Sequence, residues 1–122
     1  MTLALLIIAG AMGALLRYEV ELTVRRSVGA GFPYGTLLIN MSGSFALGVL
    51  IGVAAHRGVP VAWVTVAGTG FLGAYTTFST LSVDTVSLLE RGRARAAAAN
   101  LGASLALGLA AAALGLLVGP LL

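Results

Sequence analysis

The chain has 122 residues, 59% hydrophobic and only 9% charged, with seven basic and four acidic side chains and a net charge of +3. Water-soluble domains carry ~25% charged residues, so this is the composition of a membrane protein. A hydrocarbon core of ~30 Å takes about 20 apolar residues per helix, so four spans nearly exhaust the length. One four-span membrane domain over residues 1–122 is expected, with no room for a separate soluble activity. Cysteine is absent and His56 is the only histidine, which excludes disulfides, thiolate metal centres and histidine clusters. The basic residues are all arginine and sit at span ends without interleaved aromatics. That pattern suits lipid headgroups and topology, not nucleic acid.

The first span is expected over about 2–23. Its run TLALLIIAGAMGALL has no basic residue ahead of it and no polar cleavage site after it, so it reads as a retained helix, not a leader. Arg25 and Arg26 mark its exit. The second span follows Phe32-Pro33 and covers about 33–55, and His56, Arg57, Gly58 and Pro60 turn the chain into the third, about 61–89. ERGRAR then breaks the apolar pattern before a fourth span over about 96–118, closed by Gly119 and Pro120. Tyr18, Tyr34 and Trp63 fall near span ends, where amphipathic rings suit the headgroup level. Short alternating strands are missing, so an all-α bundle is expected, not a barrel. Gly48 and Gly52 form a GxxxG pair, and Gly102, Ala106 and Ala110 make a similar row, both suited to close helix contact. Four helices make a thin bundle, so a dimer is expected. Arg25, Arg26, Arg91, Arg93 and Arg95 flank one side and Arg57 alone the other, which by the positive-inside rule puts both termini outside the cytoplasm.

Polar residues gather inside these apolar spans. Arg17 lies near the end of the first. Thr36 and Asn40, one helical turn apart, share a face of the second, with Ser42 and Ser44 close behind. Asn100 and Ser104 repeat the spacing in the fourth, and the amide groups of both asparagines demand partners. The third span is too long for one crossing, and Gly68, Gly70 and Gly73 precede the hydroxyl run YTTFSTLSVDT. An interruption there would free backbone groups, which are tolerated at membrane depth only in protein or against a polar cavity. Freed carbonyls suit a cation and half-helix N-termini an anion, so both chemistries are open.

The runs GALLRY, GTLLINMSG and TGFLGAYTTFSTLSVDT, with the length and span count, resemble the Fluc (CrcB-type) fluoride channels. The TTFST core at this position is the specific part. The resemblance implies an antiparallel dimer with two narrow fluoride pores in the cell's inner membrane, exporting fluoride passively. It also implies a structural sodium ion held by the backbone carbonyls of Gly73 and Thr76 from both subunits. Phe78 would be the pore aromatic; Thr36, Asn40, Ser79, Thr80 and Ser104 would line the path; Arg17 would stand near its mouth. Such side chains suit fluoride, which is strongly hydrated and needs hydroxyl and amide donors in place of its water. A phenyl ring offers a positive edge.

Leu81 departs from the family's usual TTFSTF, where a second phenylalanine stands. Tyr75 has no role in the resemblance. Asp84 is expected to pair with Arg17 or a loop arginine, with a gate at the pore exit as the other reading. The lopsided loop charges fit a homodimer of oppositely inserted copies poorly, so a heterodimer with an oppositely biased paralogue stands beside it. The rival function is a four-span proton-coupled multidrug exporter, which needs a membrane-embedded carboxylate in the first span. Glu19 and Glu21 are expected too near the span end for that. No nucleophile–base pair suggests an enzyme.

Overall fold

The computed structural model describes residues 2–122, and no strand occurs among them. Helices α1 (Thr2–Val28) and α2 (Tyr34–Arg57) are followed by a composite rod. The rod comprises α3 (Val61–Val64), a π-helical stretch (Thr65–Leu72), α4 (Gly73–Tyr75) and α5 (Phe78–Glu90). Helix α6 (Ala94–Val118) runs into a 3-10 turn (Gly119–Leu121). Three helices, Thr2–Val28, Tyr34–Arg57 and Ala94–Leu121, are long and apolar enough to cross a membrane. The rod is not one helix because its backbone opens at two consecutive residues. Helix α1 continues past the expected end at Thr23, carrying Arg25 and Arg26 in its last turn, where cations favour the helix dipole. Helix α2 stops at Gly58, whose φ of 65° is easy only for glycine and whose N–H closes on the Ala54 carbonyl.

Helices α2 and α6 pack through glycine. A Cβ at Gly52 would lie 3.0 Å from the Gly119 Cα, and one at Gly115 would lie 2.8 Å from the Val49 nitrogen. Gly48 meets the Ala112 carbonyl in the same way. The predicted row Gly102, Ala106, Ala110 is not the one used here. Nothing lies within 4 Å of a Cβ at Gly102, and both alanines are exposed. The small residues of α6 and its closing turn that meet α2 fall further along the chain, at Ala112, Gly115 and Gly119.

The glycines of the rod precede its opening and do not form it. Gly68 and Gly70 stay helical, within the π stretch. Gly70 serves contact with α1, where an added Cβ would lie 3.1 Å from the Ala9 Cβ. The opening falls later, at Thr76 (φ −73°, ψ 158°) and Thr77 (φ −150°, ψ 122°), both extended.

The interior is small and mixed. Ile39, Leu72, Tyr75, Leu81, Leu88 and Ala97 are buried, but so are Thr36, Thr77, Asn100 and Ser104. Outward faces carry large apolar side chains such as Ile7, Leu15, Leu109 and Leu117. Apolar outside and polar inside suits a lipid solvent.

Candidate functional site

The opening in the rod is set by competition for one amide proton. In a continuous helix the Thr77 N–H would bond to the Gly73 carbonyl four residues back. Here it bonds to Asn40 Oδ1 at 2.8 Å, while Asn40 Nδ2 donates to the Thr77 carbonyl at 2.9 Å. One amide side chain thus serves both backbone groups of Thr77 and takes the N–H that a continuous helix would give to Gly73. Thr77 then starts α5: its Oγ1 accepts from the Thr80 N–H at 3.2 Å, a hydroxyl N-cap worth ~1 kcal/mol. Its hydroxyl also contacts Thr80 Oγ1 at 3.0 Å and Ser79 Oγ at 3.2 Å. The hydroxyl run therefore builds its own helix start.

A second tie holds the other side of the opening. The Ser42 hydroxyl donates to the Leu38 carbonyl at 2.8 Å, so the Tyr75 phenol donates to Ser42 Oγ across 2.9 Å. Tyr75 is buried and stacked on Phe71. Gly43 lets the rod come this close, since a Cβ there would collide with Thr76 Cγ2 and lie 3.2 Å from Tyr75 Cδ1. Tyr75 and Ser42 thereby have a structural place that their sequence positions did not disclose.

Most residues singled out from sequence line one of two cavities, while Ser79 and Ser104 line neither. One, of about 280 Å³, is lined by Asn40, Gly73, Thr76, Phe78 and Leu81 among others. Phe78 is 75% exposed at its rim. Leu81 is buried beside it, packing where a phenyl ring would have been larger. The other, of about 210 Å³, holds Arg17, Glu21, Thr36, Thr77 and Thr80. Arg17 Nη1 makes a long contact, 3.5 Å, with the Thr76 carbonyl. Ser79 is exposed. Ser104 is buried on α6, and its Oγ has no hydrogen-bond partner. Asn100, fully buried, gives Nδ2 to Thr85 Oγ1 at 3.0 Å and leaves Oδ1 unpartnered.

One expectation is corrected. Asp84 does not pair with Arg17 or a loop arginine: its Oδ2 accepts from the fully buried Thr36 hydroxyl at 2.8 Å. The α1 register turns Arg17 toward the rod opening instead. Glu21 is half-buried about two turns before the end of α1, and its Oε2 is buried without a hydrogen-bond partner. The signal that could have found it is spacing: Gly13, Arg17 and Glu21 fall four apart on the face that meets the rod.

Long apolar helices around an opened rod with a hydroxyl-rich interior define a polytopic helical membrane protein. The family described as CrcB-like protein, Camphor Resistance (CrcB), matches residues 4–116. The chain is 43% identical over 113 residues to the fluoride-specific ion channel FluC of Acidobacterium capsulatum, covering 92% of this chain and 90% of that one. It is 49% identical over 105 residues to fluoride-specific ion channel FluC 2 of Geobacillus kaustophilus, covering 85% and 81%. It is 47% identical over 103 residues to the FluC of Cereibacter sphaeroides, covering 84% and 82%. The chain belongs to the CrcB family.

Proposed function

We infer that this protein is a fluoride-specific ion channel subunit that lets fluoride leave the cell down its gradient through the plasma membrane. The observation that carries the reading is likeness across 92% of the chain to a relative named for that activity. The composite rod serves as the fourth crossing. Fluoride binds water tightly, so a path must offer donors in its place. Thr80, Ser79, Arg17 and the second N–H of Asn40 are the donors nearest the opening, and Ser104 adds a hydroxyl on α6. Phe78 presents a ring whose positive edge can meet an anion without trapping it. Arg17 raises the local anion concentration.

The working unit is proposed as an antiparallel dimer. Gly73 and Thr76 line a cavity that is open in the single chain. Their carbonyls fit a sodium ion: Asn40 has taken the proton that would cap Gly73, and Thr76 is extended, its carbonyl meeting only the long 3.5 Å Arg17 contact. Carbonyl oxygens suit a hard cation, but two are fewer than such an ion gathers. A second copy would double them. Sodium there would supply a fixed positive charge and tie the opened rods together. Arg25, Arg26, Arg91, Arg93 and Arg95 against Arg57 leave the identity of the second copy as the finer question. Labelling a cysteine placed at each terminus from both sides of the membrane decides it, since one-sided labelling sinks the homodimer.

The test is anion efflux from liposomes holding the purified protein. Fluoride release without comparable chloride release is expected, and Phe78→Ile should cut it at least tenfold while the assembly survives. Silence toward fluoride, with proton flux coupled to an organic cation, overturns the channel reading.

A further inference from the structure

Glu21 is set apart from the other acidic residues by where it stands. An outer cavity of about 240 Å³ lies where α1 ends, α2 begins and α5 ends, and its lining includes Arg25, Tyr34, Asp84 and Arg91. The inner cavity holds Arg17, Tyr18, Thr36, Thr77 and Thr80. Among the described residues, Glu21 is the one side chain that lines both. The Thr36–Asp84 hydrogen bond faces it from α2 and α5, linking one residue of each cavity. Glu21 and that bond stand between the two cavities, at what would be the neck of a path joining them.

The neck is built to hold the carboxylate. Gly35 makes room for it, since a Cβ there would lie 2.7 Å from Glu21 Cδ. The Thr36 hydroxyl donates to Asp84 at 2.8 Å, and Glu21 Oε2 is buried without a hydrogen-bond partner. Around it stand Arg17 on the inner side and Arg25 and Arg91 on the outer side, with Asp84, Tyr18 and Tyr34 as the remaining titratable groups. Arginines on both sides raise the concentration of an anion, while the carboxylate between them repels it. Such opposing charges set the local potential an anion meets along the path.

We propose that Glu21 is a rate-setting charge of the fluoride path, a carboxylate at the neck between mouth and polar interior that throttles anion passage. This deepens the channel reading and rests on it. Glu21 would touch the ion's route without being a ligand for the ion.

The experiment compares fluoride efflux from liposomes containing the full chain, Glu21→Gln, Glu21→Asp and Glu19→Gln. Glu21→Gln keeps the shape and removes the charge, and should speed efflux about tenfold. Glu21→Asp keeps the charge and should stay at or below the parent rate. Glu19→Gln alters an exposed carboxylate on the same helix and should change nothing. Equal or slower efflux from Glu21→Gln overturns the proposal. So does faster efflux from both Glu21→Gln and Glu21→Asp, which would make packing, not charge, the brake. Absence of fluoride flux in the parent protein, by contrast, removes the channel reading itself.

Discussion

Helix α2 is held by two different kinds of contact along its length. Its first half, through Thr36, Asn40 and Ser42, binds the rod by hydrogen bonds to Asp84, Thr77 and Tyr75. Its second half, through Gly48 and Gly52, lies against α6 with backbone nearly touching backbone. Hydrocarbon gives no hydrophobic drive between helices, so association rests on close packing and on polar contacts. The chain uses one at each end. The glycine end can hold two helices together but does nothing chemical. The polar end holds the rod less tightly and leaves carbonyls and hydroxyls available to ions.

Substitutions in the two halves should therefore fail in different ways. Gly115→Val should have the largest effect. Its side chain would enter the backbone of α2 near Val49, and the protein should be lost as aggregate in size-exclusion chromatography. Asn40→Asp comes next. It keeps the acceptor for the Thr77 N–H but loses the donor to the Thr77 carbonyl and adds negative charge. Fluoride efflux should drop at least tenfold while chromatography still shows folded protein, since a buried unsatisfied group costs ~1–3 kcal/mol. Smaller still, Tyr75→Phe should lower the thermal midpoint by the loss of one hydrogen bond, ~1 kcal/mol. Ser42→Ala should do the same, and the double substitution should cost no more than either alone. The smallest effect is expected for Gly102→Ala, which meets open space. Its stability should change by less than ~0.5 kcal/mol. A loss as severe as that of Gly115→Val would show that α6 has a tight neighbour on that face.

The legible parts of the site are those that break a strong pattern. Asn40 and Thr36 stand out because amides and hydroxyls are costly in an apolar span unless partnered, and their four-residue spacing puts them on one face. The opening of the rod is legible in kind and in region, the hydroxyl run after Gly73, but not to the residue. The glycines ahead of the run do not mark the spot themselves: Gly70 brings α1 near without ending a helix. The opening falls at Thr76 and Thr77 because Asn40, distant in sequence, takes the Thr77 proton. Tyr75, Ser42 and Glu21 do not disclose their roles in the sequence for a related reason. Each matters through a partner on another helix, and Glu21 also depends on α1 reaching Val28.

By itself the sequence determined that the chain is a bundle of apolar helices with a polar interior. Charge content, span length and the hydroxyl run decide this whatever the packing, because lipid rejects unpaired polar backbone. The tertiary structure decided which glycines carry the packing, where the rod opens, and that Asp84 answers to Thr36 and not to Arg17. Those choices depend on helix register and rotation, and an apolar repeat leaves both open until side chains from different helices meet.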